Sequence, residues 1–199
     1  MIGIIDFGAG NIHSVKKALD HLGLGSKVIS TPSEFNGIDR LIFPGVGSFG
    51  YAVRTLSSRK ILHSIEKWIE EDLPFLGICL GFQLLFQASD ESPGYQGFGL
   101  FKGKCLRFIQ EKVPQIGWND ITLKTNHPLF SDILSGDCFY FVHSYYACSD
   151  EKEVIMAQTF YGIPYTSIAG KGNILGVQFH PEKSGPSGLR LLKNWVTKC

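Results

Sequence analysis

Short apolar runs alternate with segments of helical periodicity over the first 87 residues, and this alternation constrains the fold more than any other feature of the chain. The runs at 2–5, 41–43 and 75–78 are typical of buried strands. A strand that leads through a helix to a parallel strand crosses over in the right-handed sense. The alternation therefore predicts a parallel sheet covered by helices, and Asn11 is predicted to cap the first helix.

Between residues 104 and 177 the pattern changes to short strand-like runs, which favour antiparallel pairing. These runs lie at 105–109, 121–123, 138–142, 154–159 and 174–178. Further helices are predicted at 61–69, 80–87 and 189–196. We therefore expect one α/β domain over residues 1–199, a common domain length. Its central sheet should be mixed, mostly parallel and flanked by helices, with a more antiparallel second half.

Composition excludes several classes of function. The formal net charge is +1 and the pI is about 7.7, so the chain lacks the basic footprint of a protein that binds nucleic acid or an anionic membrane. Five cysteines without a CxxC pair argue against a disulfide framework and against a zinc site. The longest uncharged stretch, 73–89, is interrupted by proline and glycine, and Asp6 comes too early for a signal peptide. We expect a soluble cytoplasmic protein without a metal ion.

A cysteine lies between two glycines where a predicted buried strand meets a predicted helix, in Gly77-Ile-Cys79-Leu-Gly81. This spacing is typical of a strand-to-helix elbow, whose sharp turn leaves little room for side chains two residues away. The start of a helix favours a thiolate, and the backbone N–H of Leu80 can donate to an oxyanion. We interpret Cys79 as a nucleophile, although a lone cysteine is more commonly a core residue.

A histidine and a carboxylate follow another apolar run, in Gly176-Val-Gln-Phe-His180-Pro-Glu182. A thiol nucleophile needs a base, and the base needs a group that holds its tautomer. His180 can take the Cys79 proton at one ring nitrogen while Glu182 accepts from the other. The His-x-Glu spacing is weak evidence by itself, and it predicts a triad only in combination with the elbow at Cys79.

One further histidine ends an apolar strand, in Tyr140-Phe-Val-His143-Ser-Tyr145. Hydroxyl side chains follow it, so this edge can bind a small polar ligand. It can equally be a hydrogen-bonded structural cluster, since buried polar groups are normally paired. The sequence leaves both readings of His143 open.

The two catalytic segments together resemble the class I glutamine amidotransferases of the Cys–His–Glu type. Four further stretches resemble, more narrowly, the glutaminase subunits that supply ammonia to a cyclase subunit in histidine biosynthesis. They are Asp6-Phe-Gly-Ala-Gly-Asn11, Pro44-Gly-Val-Gly-Ser-Phe49, Pro114-Gln-Ile-Gly-Trp-Asn119 and Tyr140-Phe-Val-His-Ser-Tyr145. The resemblance covers essentially the whole chain.

This resemblance implies hydrolysis of glutamine to glutamate and ammonia through a thioester on Cys79, without a metal ion or organic cofactor. The ammonia would pass to a separate cyclase subunit of (β/α)₈ fold in a heterodimer. The family matches assign oxyanion donation to the backbone of Val46 and Leu80. The residues matched to glutamine binding are Gly47, Gln83, His143, Ser144 and Tyr145. Those matched to the partner junction are Asn11, Trp118, Tyr140 and Lys183.

Several alternatives stay open at the level of sequence. Trp118, in a predicted Gly-Trp-Asn loop, is either an exposed interface anchor or a core residue. A scaffolding protein on the same fold would have lost part of the triad, whereas all three residues are present. A related cysteine hydrolase could act on peptides instead of glutamine. Within the family, a similar glutaminase subunit could serve an amidotransferase that modifies surface sugars.

Overall fold

The computed structural model describes residues 1–109 and 111–199. Thirteen strands within this part of the chain are numbered here in sequence order. They are β1 (Ile2–Ile5), β2 (Ser26–Ile29), β3 (Arg40–Gly45), β4 (Phe75–Cys79), β5 (Phe86–Ser89), β6 (Phe101–Arg107), β7 (Gln115–Asp120), β8 (Thr122–Leu123), β9 (Cys138–His143), β10 (Tyr145–Ser149), β11 (Ile155–Tyr161), β12 (Ile163–Lys171) and β13 (Ile174–Val177). The α-helices are α1 (Ile12–His21), α2 (Phe49–Ser58), α3 (Leu62–Glu70), α4 (Leu80–Gln83) and α5 (Gly185–Lys198).

The main sheet joins a parallel half to a mostly antiparallel half, whose edge strands β5 and β6 pair in parallel. Its order is β2-β1-β3-β4-β13-β12-β10-β6-β5, with β11 and β8 continuing from β12, while β7 and β9 form a separate pair. Every pairing from β2 to β13 is parallel. Beyond β13 the pairings of β12, β10 and β11 are antiparallel. The expected α/β fold with a more antiparallel second half is confirmed.

Helices cover both faces of the sheet because each presents an apolar stripe to it. Val15 and Leu19 of α1 share a core cluster with Leu191 and Trp195 of α5. The apolar residues of α2 and α3 belong to a second cluster, on other residues of the same strands. Trp195 is fully buried, and truncation of such a side chain typically costs about 3–5 kcal/mol.

Two local predictions are wrong. The sequence predicts a single helix over 80–87, but α4 ends at Gln83 and β5 begins at Phe86. The residues in between and Phe86 itself are all buried, whereas an amphipathic helix buries one stripe. The Gly-Trp-Asn segment is predicted as a loop, but it lies within β7, which pairs with β9. Within β7 the apolar residues Ile116 and Trp118 alternate with polar residues or glycine, a pattern that indicates a strand, although both side chains are exposed, at 63% and 58%.

The N-terminal cap of α1 also differs from expectation. Asn11 occupies the cap position, but its side chain makes no capping hydrogen bond. The amide is directed instead to a residue 171 positions away, Glu182. Separately, no helix in the described residues is long and apolar enough to cross a membrane.

Candidate active site

The order of the sheet places Cys79 between two loops. Cys79 is the last residue of β4, which pairs in parallel with β3 on one side and β13 on the other. In register, Gly45 of β3 lies opposite Cys79, and Val177 of β13 lies opposite Ile78. The turn after β3 and the segment after β13 therefore both emerge beside the sulfur, at the carboxyl edge where open α/β sheets bind their ligands.

The elbow at Cys79 is strained and tightly packed. Cys79 has φ 55° and ψ −104°, a conformation that L residues rarely adopt and that costs about 1–3 kcal/mol. A Cβ at Gly77 would lie 2.6 Å from the Gly81 carbonyl oxygen, and a Cβ at Gly81 would lie 1.9 Å from that of Phe43. Only glycine fits at both positions, as the sequence indicated. The helix that follows is a single turn.

His180 and Glu182 are buried next to each other directly after β13. The His180 Nδ1 lies 2.8 Å from Glu182 Oε1, and the two side chains are 2% and 0% exposed. Because a carboxylate oxygen accepts, Nδ1 carries the proton. Asn11 Nδ2 donates to the same oxygen at 3.1 Å. Glu182 Oε2 has no hydrogen-bond partner among the described residues.

The pKa of His180 lies above its ordinary value. Burial alone would lower this pKa, but the negative charge and proximity of Cys79, followed by the Glu182 carboxylate, raise it more strongly. Nε2 makes no hydrogen bond of good geometry with any described residue, so it stays available to exchange a proton with the neighbouring sulfur. This environment favours an imidazolium at His180.

The thiol lines a cavity of about 310 Å³ that opens over the carboxyl edge of β4. Its lining residues are Val46, Gly47, Cys79, Leu80, Gln83, Glu91, Pro114, Val142, His143, Ser144 and Tyr145. All residues predicted for oxyanion donation and glutamine binding are therefore gathered around the sulfur. Gly47 has φ +99°, and a Cβ added to it would meet no atom within 4 Å. Its backbone conformation, rather than a lack of space, therefore demands glycine there.

Gln83 lines this cavity with its amide nitrogen already engaged. Nε2 donates to the Tyr145 carbonyl oxygen at 2.8 Å and to Gln178 Oε1 at 3.1 Å. A primary amide has two N–H groups, and both are used by these acceptors. Only Oε1 of Gln83 is left for a ligand, so it can accept from an ammonium group and cannot donate to a carboxylate.

His143 is buried in surroundings that keep it neutral. Burial lowers its pKa to about 4. Nδ1 lies 2.8 Å from the Tyr145 carbonyl oxygen and so carries the proton, while Nε2 lies 3.4 Å from the Tyr165 hydroxyl. The structure thus combines the two readings of the sequence, because His143 belongs to an internal cluster and also contributes to the cavity wall.

Three of the four residues matched to a partner junction form a group at the surface, in which Trp118 and Lys183 are exposed and Tyr140 is half-buried. Trp118 is 58% exposed, in contrast to the buried Trp68 and Trp195. Its ring meets that of Tyr140 edge-on at 6.2 Å, and Lys183 Nζ lies 6.0 Å from the Tyr140 centroid. Asn11 does not join this group through its side chain, which is bound to Glu182.

Two residues of the site were missed at the level of sequence. Glu91 contributes a carboxylate to the cavity and accepts from the Phe49 backbone N–H at 2.7 Å. It follows a turn-rich segment without a distinguishing pattern. Gln178 is fully buried and donates to Cys79 Sγ at 3.7 Å. A polar residue inside the apolar run at 174–179 was the available signal for Gln178.

Comparison with known proteins places this geometry in a family. The profile of the family described as glutamine amidotransferase class-I matches residues 3–199. The imidazole glycerol phosphate synthase subunit HisH of Caldanaerobacter subterraneus subsp. tengcongensis is 45% identical, over 100% of both chains. The protein of the same name from Methanocaldococcus jannaschii is 44% identical, over 98% of both chains.

Solved structures with low sequence identity share the fold. The structure of PurLQS from Thermotoga maritima has a TM-score of 0.77 at 19% identity, covering 98% of this chain and 96% of that one. A glutamine amidotransferase crystal structure has a TM-score of 0.75 at 21% identity, with coverage of 98% and 96%. The chain therefore belongs to the class-I glutamine amidotransferases, enzymes that hydrolyse glutamine, and within them to the imidazole glycerol phosphate synthase HisH subunits.

Proposed function

We propose that this chain, as one domain over residues 1–199, is the glutaminase subunit of an imidazole glycerol phosphate synthase and that Cys79, His180 and Glu182 carry its chemistry. One observation supports the proposal above all others. The Cys79 thiol lines a cavity, and beside it lies a buried His180 that is hydrogen-bonded to a buried carboxylate. A nucleophile, a base and a group that orients the base are the parts that cysteine-dependent acyl transfer needs.

The reaction proceeds by two acyl-transfer steps. The Cys79 thiolate attacks the side-chain amide carbon of glutamine, with its proton held on His180 Nε2. Backbone N–H groups of Val46 and Leu80 stabilise the oxyanion, and one such donor contributes about 3–4 kcal/mol. His180 gives its proton to the nitrogen, which leaves as ammonia, and a thioester remains on Cys79.

Water completes the cycle in the reverse sense. Neutral His180 takes a proton from a water molecule that attacks the thioester. The resulting tetrahedral intermediate expels the Cys79 thiolate, and glutamate is released. Glu182 accepts a hydrogen bond from the protonated Nδ1 of His180 throughout the reaction. Nε2 therefore faces the reacting atoms at each stage.

The cavity offers groups that match the amino-acid end of glutamine. The Glu91 carboxylate and Gln83 Oε1 can accept from the α-ammonium group. Backbone and side-chain groups of Gly47, Ser144 and Tyr145 are available to the α-carboxylate. His143 is neutral and contributes a wall rather than a charge. This division predicts that an amide lacking the α-ammonium group is a poor substrate.

The partner is a cyclase subunit of (β/α)₈ fold, which receives the ammonia in a heterodimer. Free ammonia in water becomes ammonium and loses its nucleophilicity, so its exit has to be covered. The surface group of Trp118, Tyr140 and Lys183 supports a docking face near the catalytic histidine, since an exposed aromatic residue such as Trp118 is a common interface anchor. We infer a cytoplasmic location and no contact with nucleic acid or membrane. The relatives that carry the synthase name do not favour a sugar-modifying partner.

Glutamate release by the purified chain, alone and with the cyclase, tests the proposal. We expect hydrolysis of glutamine but not of peptides, loss of activity in Cys79→Ala, and co-purification with the cyclase. The cyclase should use free ammonium salts without this chain and glutamine only with it. Glutamate release that survives in Cys79→Ala, or a cyclase that uses glutamine equally well alone, would overturn the proposal.

A further inference from the structure

Gln178 is a fully buried polar residue that the triad does not include. It directly follows β13 and precedes His180 by two positions. Its Nε2 lies 3.7 Å from Cys79 Sγ, within hydrogen-bond range for sulfur. A buried amide without a partner would cost about 1–3 kcal/mol, so both ends of this side chain need explanation.

Hydrogen bonds from residues outside the triad determine which end of the Gln178 amide faces Cys79. The Tyr145 carbonyl oxygen can only accept, and it therefore binds the nitrogen of the Gln83 amide, at 2.8 Å. The second N–H of Gln83 donates to Gln178 Oε1 at 3.1 Å. With its oxygen held there, Gln178 must present its nitrogen to the sulfur of Cys79.

The Tyr145 carbonyl that starts this chain of hydrogen bonds is itself fixed. It accepts from His143 Nδ1 at 2.8 Å in addition to Gln83. Gln83, Gln178 and His143 are 5%, 0% and 7% exposed. Water has little access to these groups, so the polarity of each amide follows from its neighbours and not from solvent.

We propose that Gln178 is a further catalytic residue, whose N–H donates to the Cys79 thiolate, and that Gln83 is the positioning residue that orients it. A hydrogen bond to the charged form of a group favours that form, and it is stronger when one partner is ionised. The thiol proton goes to His180 Nε2, and Gln178 keeps all of its own atoms. The same donor stabilises the thiolate when the thioester breaks.

This inference rests on the proposed function but is tested without glutamine. The measurement is the rate at which iodoacetamide alkylates Cys79 as a function of pH, followed by mass spectrometry of the peptide that contains Cys79. In the full chain, Gln178→Met keeps the length of the side chain and removes the donor. We expect the midpoint of the alkylation profile to move up by about one pH unit, with an about tenfold slower rate below the midpoint.

Gln115→Leu is the matched control. Gln115 is also buried, but its amide accepts from the Tyr165 hydroxyl, and Gln115 is not among the residues that line the cavity at Cys79. Its profile should coincide with that of the parent chain. An equal shift in Gln115→Leu and Gln178→Met, or no shift in Gln178→Met, would overturn the inference.

A double-mutant cycle tests the role of Gln83. Gln83→Leu frees the oxygen end of Gln178 and should shift the profile upward by less than Gln178→Met does. In the Gln178→Met background, Gln83→Leu should cause no further shift in the midpoint of the alkylation profile, because Gln83 acts through Gln178. Additive shifts would contradict the positioning role. Gln83→Leu alone also tests the hydrogen-bond chain if Gln178→Met fails to fold.

Failure of this inference is distinct from failure of the proposed function. A parent chain that releases glutamate while Gln178→Met keeps its alkylation profile contradicts the role of Gln178 and leaves the triad intact. A parent chain that never releases glutamate with its partner contradicts the function, whatever the profiles show.

Discussion

Two histidines are buried to a similar degree in neighbouring parts of this fold, and their surroundings give them opposite properties. His180 lies among a thiol and a carboxylate, and its pKa is raised. His143 lies between a backbone carbonyl and a tyrosine hydroxyl, against the rings of Phe108 and Phe141, and its pKa falls to about 4. Burial disfavours the cation at both positions, and only His180 faces negative groups that reverse it.

In the proposed mechanism His180 carries the proton, whereas His143 has an architectural role. Both rings have Nδ1 bound to an oxygen acceptor. They differ at Nε2, which approaches a hydroxyl in His143 and a nucleophilic sulfur in His180. The group that lies next to Nε2 therefore indicates whether a histidine at a strand end can act as a base. Burial of the ring alone does not indicate this.

The largest effect is expected from the same substitution at both histidines. Asparagine retains a donor near the position of Nδ1 and removes Nε2. His180→Asn should lower kcat/KM for glutamate release in the complex at least about 10³-fold, since it removes the proton carrier. His143→Asn should lower kcat/KM about tenfold or less. Comparable losses would mean that the two histidines are not distinguished as we describe.

The next test is the free energy of unfolding as a function of pH, measured below neutral pH. Because the folded pKa of His143 is about 4 and its ordinary value is 6.5, the unfolded chain binds a proton in this window that the folded chain does not. Stability should therefore fall as pH decreases from about 6.5 to about 4, by about 3 kcal/mol from this group. Urea unfolding at several pH values should show a flatter profile in His143→Asn.

The exposed His63 supplies the control for this profile, since its side chain is 87% exposed. His63→Asn removes an imidazole from the surface without opening the core. If the profiles of His63→Asn and His143→Asn have the same slope between pH 4 and pH 6.5, the buried neutral state of His143 is wrong.

A smaller effect is expected at Asn11, whose side chain donates to Glu182, the carboxylate bound to His180. Asn11→Ala removes one of two donors to Glu182 Oε1 and should lower kcat for glutamate release about tenfold, because hydrogen bonds to charged groups contribute about 1.5–3 kcal/mol. Asn11→Asp has nearly the same shape but repels the carboxylate, so its loss should be larger and its pH optimum displaced.

Asn173→Ala serves as the control for Asn11, since its amide binds Asp72 at the amino end of β13. It should retain the parent kcat. Equal activity in Asn11→Ala and Asn11→Asp would contradict an electrostatic role and would leave Asn11 with a structural or interface role.

The smallest effect is expected on the His143 side, at Tyr165. Tyr165→Phe deprives Gln115 Oε1 and His143 Nε2 of a hydroxyl and should destabilise the fold by about 1 kcal/mol. Glutamate release should stay within about threefold, because no proton moves through Tyr165. The control for loss of a phenolic hydroxyl is Tyr161→Phe, because the Tyr161 hydroxyl donates to the Lys112 carbonyl oxygen outside this cluster. A hundredfold loss of activity in Tyr165→Phe would place this cluster in the reaction.

The sequence predicts features that depend on local pattern. The buried strands β1 and β4 read as apolar runs, and the elbow reads as glycines two residues on either side of Cys79. These requirements are steric and lie within a few residues of one another. The alternation of strand and helix then indicates which strand ends converge.

Features that depend on contacts between distant segments were not predictable in this way. Asn11 occupies a helix-cap position, but a carboxylate 171 residues away competes for its amide. The residues adjacent to Gln178 in the sequence do not indicate which end of its amide faces Cys79. That orientation follows from the Tyr145 carbonyl, which orients Gln83 and through it Gln178. Strand β7 contains Gly117, Asn119 and Asp120, residue types that are depleted in strands, and it pairs with β9, a segment about 20 residues further along the chain.

In the proposed reaction Cys79, activated by His180, attacks the side-chain carbonyl carbon of glutamine. A diazoketone analogue of glutamine tests this attack, because protonation of its diazo carbon lets a thiolate displace N₂ and leaves a thioether on the cysteine. Mass spectrometry then locates the adduct among the five cysteines. We predict one adduct, on Cys79, that forms at least about tenfold more slowly in His180→Asn. An adduct on Cys105, Cys138, Cys148 or Cys199 in its place, or labelling of Cys79 that is unchanged in His180→Asn, would contradict the account.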